Sequence, residues 1–544
     1  MKTYRCVSHT FFSLRILLLI FLALSCKKNP AIPQITASPT HGIVPLPKQL
    51  VFTGEKITLD QSFTFVSNTS FPVASAAAQT LLGNVLNNFI ISPTLPSAGN
   101  SFQLIRDNIM VDDAYQLSVT KGGIVIKAGN EAGAFWAIQS LKQYFWNSVG
   151  GLKQNSFEIA GLTIADQPKY SWRGFHLDVS RHFFTKAYIL KIIDWLAYYK
   201  YNKFHLHLSD DQGWRIESKI FPLLNTIGSW RIFDHNDSIC MVKAQSDPTF
   251  IIDPRFIRQV NGVTMYGGYY TQQEIADIIA YAQAHFIEIV PEIDMPGHFT
   301  AAINAYPHLS CNGSTGWGAD FSYPLCPCNT SVYDFANQIW DEVSALFPSS
   351  YVHIGADEVD QTTWHLSPEC IDFMSANNLL NTTYLQSYFV GKIENHLESK
   401  GKSVIAWDDV TDGKISRNLK IMYWRDWMPN APVIAAANGN QIIFTRWDLF
   451  YFSSTYSVAN LQKLLEFDVT QIYPANVTSK IIGFQGCMWS EQIPSEAVFE
   501  AQVFPRLQAL SEVNWSSVKD YTSFTIRMVP QRSYLLANHV NLRN

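Results

Sequence analysis

Two hydrophobic periods alternate along most of this chain. Short apolar runs of strand length are separated by longer stretches in which apolar residues recur every three to four positions. Eight such runs follow in order: Gly174–Val179, Phe204–Ser209, Ile287–Ile293, Tyr351–Ala356, Ser403–Trp407, Leu419–Trp424, Gln441–Thr445 and Ile482–Trp489. Helices are predicted between most of them, at Lys186–Tyr199, Gln272–His285, Val332–Leu346 and Glu496–Val513. Strand-then-helix repetition implies parallel βα units, and eight is the number that closes a (β/α)8 barrel; an open doubly wound sheet is the alternative with the same alternation. The stretch from Ile232 to Gly262 has no period and is expected to be a long loop on the barrel.

Ahead of the barrel, alternation at Tyr115–Val119 and Ile124–Ala128 flanks Lys121-Gly122-Gly123, and a helical run from Glu131 to Tyr144 follows. This pattern indicates a small α/β domain, an α+β sandwich, over 43–165, with the barrel over 166–544 and ending too near Asn544 for a further module. At the N-terminus, Lys2, Arg5 and Arg15 precede the apolar run Ile16–Leu24, which is the pattern of a secretory signal over 1–26. That run is shorter than the roughly 20 residues a spanning helix needs. Leu24-Ser25-Cys26 resembles a bacterial lipobox, so export to the periplasm or cell surface is expected, with a lipid on Cys26 as the sole membrane contact. The Pro-, Thr- and Ser-rich segment 27–42 then reads as a tether.

Composition narrows the choice of partner. The 544 residues carry a net charge of −5 and no Lys/Arg block, which excludes a nucleic-acid footprint and points to a neutral substrate. The 15 Trp suit either a packed barrel or stacking on sugar rings. Six cysteines remain beyond Cys6 and Cys26, none with zinc-finger spacing. Cys311, Cys326 and Cys328 are placed to bridge a long loop, whereas Cys370 and Cys487 read equally well as buried thiols.

Barrel enzymes build their sites on the loops after the strands, and here those loops are acidic and aromatic. Asp178 and Arg181 follow the first run, Asp210-Asp211 the second, Glu292, Asp294 and His298 the third, Asp357-Glu358 the fourth. Trp407-Asp408, Trp424, and Trp489 with Glu491 follow the fifth, sixth and eighth. Two adjacent carboxyls cannot both ionise easily, so Asp357-Glu358 offers an acid beside a base; two solvated loop acids, or a cation site, is the plainer reading. His205, His207, His298 and His353 are the residues a metal reading would recruit, although none shows tight ligand spacing.

In order along the chain stand Ile43-Val-Pro-Leu-Pro-Lys48, Arg173-Gly-Phe-His-Leu-Asp-Val-Ser-Arg181, Asn202-Lys-Phe-His-Leu-His-Leu-Ser-Asp-Asp-Gln-Gly-Trp-Arg215, Pro291-Glu-Ile-Asp-Met-Pro-Gly-His298, His353 to Glu358, Trp407-Asp408 and Trp489-Ser-Glu491. This series resembles the family 20 glycoside hydrolases, the β-N-acetylhexosaminidases, over nearly the whole mature chain. The resemblance implies release of terminal N-acetylhexosamine without metal or organic cofactor, the substrate's own 2-acetamido group serving as nucleophile. It casts Glu358 as general acid and base, Asp357 as the group orienting the acetamide, Tyr451 as donor to the acetamide carbonyl, and Asp210 with His298 as a relay behind Glu358. Trp407, Trp424 and Trp489 would wall the pocket, with Asp408 beside the first, while Arg173 and Glu491 would hold ring hydroxyls. Ser453 stands where relatives usually carry Asp or Asn, which leaves the preference between the two C4 epimers open. A disaccharide-releasing relative such as a lacto-N-biosidase, and a surface glycan-binding lipoprotein without turnover, are the rival readings.

Overall fold

The computed structural model describes residues 41–543 apart from 68–69, 98, 317–320 and 455. The signal pattern, Cys26 and tether residues 27–40 lie outside the described residues. Among the described residues, no helix is long and apolar enough to cross a membrane.

The first layer is a seven-stranded sheet. Its strands are β1 (Gln49–Asp60), β2 (Thr64–Val66), β3 (Ile90–Ser92), β4 (Ser101–Arg106), β5 (Tyr115–Thr120), β6 (Gly123–Ala128) and β7 (Ser156–Asp166), in the order β1-β7-β5-β6-β4-β2-β3. Alternation in β5 and β6 sends Tyr115, Leu117, Val119, Ile124 and Ile126 into the core, and the antiparallel register Thr120↔Gly123 leaves Lys121-Gly122 as a two-residue turn. Helices α1 (Pro72–Val85) and α2 (Glu131–Val149) complete the domain. The side chain of Asn130 caps α2 by accepting from the Gly133 amide.

All eight predicted barrel strands are present: β8 (Trp172–Asp178), β9 (Lys203–His207), β10 (Glu288–Glu292), β11 (Tyr351–His353), β12 (Ser403–Trp407), β13 (Lys420–Tyr423), β14 (Ile442–Phe444) and β15 (Ile481–Met488). They close on themselves, β15 pairing in parallel with β8 from Gly483↔Trp172 to Met488↔Leu177. Helices at Lys186–Tyr198, Gln272–Gln283 and Thr330–Leu346 match their predicted places. The fourth does not: Glu496–Val513 is two helices, Glu496–Val503 and Arg506–Trp515, because Pro505 has no amide hydrogen to continue the ladder.

The expected loop at 232–262 is also more ordered than its lack of period suggested. Asp234 and Asp237 form a reciprocal capping box that starts a helix at His235–Ala244. Val260-Asn261-Gly262-Val263 is a tight hairpin turn with φ of 51° at Asn261 and 80° at Gly262, a conformation that Asn-Gly suits. Disulfides join Cys311 to Cys326 and Cys328 to Cys370, so Cys370 is not the free thiol that was one expectation, whereas Cys487 and Cys240 are buried and free.

Beneath the barrel, Asp166 gathers donors from three parts of the chain. It accepts from Tyr115 Oη at 2.6 Å and Lys48 N at 2.9 Å in the sheet domain, and from Trp515 Nε1 at 2.9 Å, with Lys200 Nζ at 3.2 Å. Lys200 is fully buried and its ammonium lies over the Trp515 ring. Removing the carboxylate charge strands that ammonium, so Asp166→Asn is expected to cost about 3–5 kcal/mol in urea unfolding. An unchanged midpoint would show that the neutral amide serves Lys200 as well.

Candidate active site

At the C-terminal end of the strands the chain encloses a cavity of about 210 Å³. The loop His353–Glu358 shapes it. Beyond β11 the backbone passes through positive φ at Gly355 (69°), Ala356 (73°) and Glu358 (49°), a conformation costly for Ala and Glu at about 1–3 kcal/mol each. Neighbours hold it there. Asp294 Oδ1 accepts from Ala356 N at 3.0 Å, Ala356 O accepts from Gln386 Nε2 at 2.9 Å, and Asp409 Oδ1 accepts from Glu358 N at 3.3 Å. Gly355 is obligatory, since a β-carbon there would stand 1.7 Å from Asp294 Oδ1. The outcome is that Asp357 turns inward while Glu358 sits at the mouth with 34% of its side chain exposed.

Behind the pair runs a chain of charges. His298 Nε2 lies 3.5 Å from Glu358 Oε2 and 3.8 Å from Asp357 Oδ2; its Nδ1 lies 3.3 Å from Asp210 Oδ1. Asp210 meets Arg181 Nη2 at 2.8 Å and His207 Nε2 at 2.6 Å, and the other nitrogen of His207 meets Glu292 Oε2 at 2.5 Å. His205 Nε2, His353 Nδ1 and Trp407 Nε1 converge on the same Glu292 carboxylate at 3.0, 2.8 and 2.9 Å.

Burial alone would neutralise these groups, and the neighbours decide otherwise. Burial lowers His207, but Glu292 and Asp210 outweigh it and raise it to about 10. His298 is likewise pushed well up against burial, mainly by Asp210. Burial raises Asp210, yet Arg181, His298 and His207 hold it well below the carboxylate range. Asp357 is the opposite case: burial, then the nearby Asp294 carboxyl, push it well above that range. Asp294 is raised too, chiefly by burial.

The remaining walls are aromatic and polar. Trp489, Trp424 and Tyr451 line the cavity with Glu491 and Ser453. Trp424 and Tyr451 stack at 6.2 Å with 17° between planes, and Trp424 Nε1 donates to Asp409 at 2.8 Å. Arg181 lies over the Trp489 ring and 3.9 Å from Glu491.

Seven predicted residues therefore line one pocket: Glu358, Asp357, Tyr451, His298, Asp210, Trp424 and Trp489, with Glu491 as an eighth. Three do not. Arg173 lies at the opposite end of β8, buried, with Nη2 on Asp113 at 3.0 Å and Nε on the Lys200 carbonyl at 2.8 Å. Arg181, past the end of the same strand, occupies the pocket in its place. Asp408 is fully buried and spends its carboxylate on the Trp424 amide and Arg425, so Asp409 is the member of that pair that reaches the site. Trp407 is fully buried behind Trp489, its ring 5.9 Å away, and anchors Glu292. Residue reasoning also missed Asp294 as the partner of Asp357, and His207 and Glu292 as the base of the relay; His205, His207 and His353 serve Glu292 rather than gathering with His298.

A closed barrel whose strand ends bring an acid pair, a charged relay and aromatic walls around one small pocket has the parts that glycoside hydrolysis uses. Comparison with known proteins agrees. Residues 170–518 match the catalytic domain of glycosyl hydrolase family 20, and residues 40–167 match domain 2 of that family. The chain belongs to glycosyl hydrolase family 20. It is 31% identical over 513 residues to a beta-hexosaminidase of Porphyromonas gingivalis, covering 89% of this chain and 62% of that protein, so it spans less than two thirds of that relative. Among solved structures, an exo beta-N-acetylglucosaminidase of Vibrio harveyi in complex with N-acetylglucosamine superposes with a TM-score of 0.78 at 28% identity, over 93% of this chain and 79% of that one. A Streptomyces plicatus N-acetyl-beta-hexosaminidase superposes with a TM-score of 0.76 at 26% identity, over 93% and 97%.

The raised pKa of His207 has a consequence for stability. A folded value of about 10 against an ordinary 6.5 means that its contribution is complete below about pH 6.5 and is lost as pH rises through 10. The thermal midpoint is expected to fall over that window, and His207→Gln to flatten the fall. A variant with the wild-type pH profile would show that another group carries it.

Proposed function

We propose that the chain is an exo-acting, retaining β-N-acetylhexosaminidase that removes terminal β-linked N-acetylhexosamine from glycans by substrate assistance. The observation that carries this reading is the juxtaposition of a buried Asp357, a partly exposed Glu358 and Tyr451 in a pocket of one-sugar size. A cavity of about 210 Å³ is small beside the roughly 300–1,000 Å³ of pockets for larger ligands, which favours one terminal sugar over a disaccharide. The relatives named beta-hexosaminidase, and the Vibrio harveyi enzyme holding N-acetylglucosamine, support the same substrate class.

In this reading the sugar enters with its acetamide against the floor. The Tyr451 hydroxyl, which burial keeps protonated, donates to the acetamide carbonyl oxygen, and Asp357 accepts from the acetamide N–H. The carbonyl oxygen attacks C1, the bond from C1 to the glycosidic oxygen breaks with its electron pair on oxygen, and the Glu358 carboxyl supplies the proton that oxygen takes up. An oxazolinium ion results. Its positive charge forms beside the Asp357–Asp294 pair, whose empty-site preference for a proton is thereby offset. Glu358, now a carboxylate, takes a proton from water as that water attacks C1 and reopens the ring. Two inversions at C1 give net retention.

Arg181 and Glu491 are placed to hold the outer hydroxyls, Trp424 and Trp489 the apolar faces, and the short Ser453 leaves room beside them. The N-terminal pattern supports export and a lipid on Cys26, which would bring the enzyme to glycans in the periplasm or at the cell surface.

Purified protein is expected to hydrolyse chromogenic β-N-acetylglucosaminide or β-N-acetylgalactosaminide and to spare the plain β-glucoside. Glu358→Gln should lower kcat roughly a hundred- to ten-thousand-fold, and Asp357→Asn roughly a hundred- to a thousand-fold with little change in ligand affinity. Equal cleavage of the glucoside would remove the acetamide from the mechanism. Arg181→Met should weaken substrate binding roughly tenfold or more, while Arg173→Met lowers the unfolding midpoint and leaves KM near wild type. The reverse outcome would return Arg173 to the site.

A further inference from the structure

The C-terminal helix, Tyr521–Ala537, leaves large apolar side chains in water. Ile526, Val529 and Leu536 are 50%, 70% and 51% exposed, and Val458, which lines a cleft together with Val529, is 61% exposed. Apolar residues scattered singly over a surface need no explanation. Here, however, the same helix forms one wall of an open cleft of about 380 Å³ whose lining includes the buried Leu461, Phe504, Phe524 and Leu535.

The charge around this cleft has one sign. Although the whole chain has 45 acidic residues and a net charge of −5, no Asp or Glu occurs from Tyr521 to Asn544, where Arg527, Arg532 and Arg543 stand. Arg527 is buried and paired with Glu512. Arg532 and Arg543 line the cleft, are exposed, and have no carboxylate partner among the described residues. Arg532 donates instead to the Arg543 carbonyl at 3.1 Å, and the Arg543 guanidinium lies 5.7 Å from the Tyr456 ring. Nearby, Arg506 is buried and gives its donors to neutral oxygens of Phe452, Ser454 and Gln502; burial and the Arg543 charge lower it to about 9. Guanidiniums without a counter-ion beside exposed hydrocarbon call for a partner that is anionic and apolar at once.

The start of the folded chain lies against the same helix. The Gly42 carbonyl accepts from Gln531 Nε2 at 2.6 Å, and the Ile43 carbonyl from Arg527 Nη1 at 3.0 Å. The sequence on which a lipid at Cys26 is expected therefore joins the folded unit at this helix.

We propose that the face formed by the C-terminal helix, the cleft, Arg532 and Arg543 docks on an anionic lipid bilayer surface. Ile526, Val529 and Leu536 enter the boundary between headgroups and acyl chains, the cleft takes hydrocarbon, and the two guanidiniums bind phosphate oxygens. A second copy of the chain fits less well, because a twofold contact would bring the same unpaired arginines face to face. The docking is independent of the hydrolase reading and needs no lipid on Cys26.

Co-sedimentation with vesicles tests it, using the full chain carrying Cys26→Ser so that no lipid is attached. Partition onto phosphatidylglycerol vesicles is expected to exceed that onto phosphatidylcholine alone and to weaken with added salt. Arg532→Gln combined with Arg543→Gln is expected to lower the anionic-vesicle partition roughly ten- to thirtyfold, and Ile526→Ser combined with Val529→Ser roughly tenfold or more. Both variants should keep the wild-type thermal midpoint, since the four side chains are exposed. Equal partition onto the two vesicle types, or partition indifferent to the arginine pair, would overturn the proposal and leave the apolar run Ile16–Leu24 as the membrane-seeking element. Self-association that Val529→Ser reverses, without vesicle binding, would overturn it in favour of a second copy.

Discussion

The charge on Glu292 is the constraint from which the rest of the site hangs. This carboxylate is fully buried in the barrel, where an unpaired ion costs several kcal/mol, and it is tolerated because His207 and the Trp407 indole are hydrogen-bonded to it, with the imidazoles of His205 and His353 3.0 and 2.8 Å away. These neighbours come from β9, β11 and β12, so the ion also knits strands together. His207 hands the charge upward: with both nitrogens engaged by carboxylates it remains a cation, which keeps Asp210 ionised, which in turn keeps His298 protonated behind Glu358. Trp407 belongs to the same arrangement as an anchor of Glu292, and this explains why a residue expected on the pocket wall is found behind it.

Four carboxylates within a short distance are thereby sorted into two kinds. Glu292 and Asp210 face cations and stay charged; Asp294 and Asp357 face each other and burial, and favour the proton. That sorting leaves a proton-favouring pair on the pocket floor beside an ionised one. The strained backbone from Gly355 to Glu358 has the same origin, because its left-handed turn is what sets Asp357 against Asp294 while leaving Glu358 at the mouth.

Much of this was legible in the chain, and the failures have physical causes. Barrel strands are buried on both faces and read as continuous apolar runs, so all eight stood out. The acid pair and its motif neighbours are contiguous in sequence, and most fell into one pocket. Arg173 and Arg181 share a motif, but only the second lies beyond the end of β8, and the site is at that end; strand direction was the signal that separates them. Asp408 and Asp409 differ only in which way each carboxylate points, and no single sequence encodes that. The segment 232–262 lacked hydrophobic period, yet its Asp234…Asp237 box and Asn261-Gly262 turn were local signals of order. The pairing of Asp294 with Asp357 joins residues in the loops after adjacent strands β10 and β11, and only the fold brings them together.

The central claim is that Asp357 and Tyr451 hold the substrate's acetamide as the reacting group. A crystal structure with a bicyclic thiazoline analogue of N-acetylglucosamine, in which sulfur replaces the attacking oxygen, tests it directly. The account predicts the ring nitrogen within about 2.6–3.2 Å of the Asp357 carboxylate, the methyl group against Trp489 and Trp424, and Glu358 facing C1 from the mouth. An analogue bound with that nitrogen toward solvent, or with Glu358 on its far side, would contradict it.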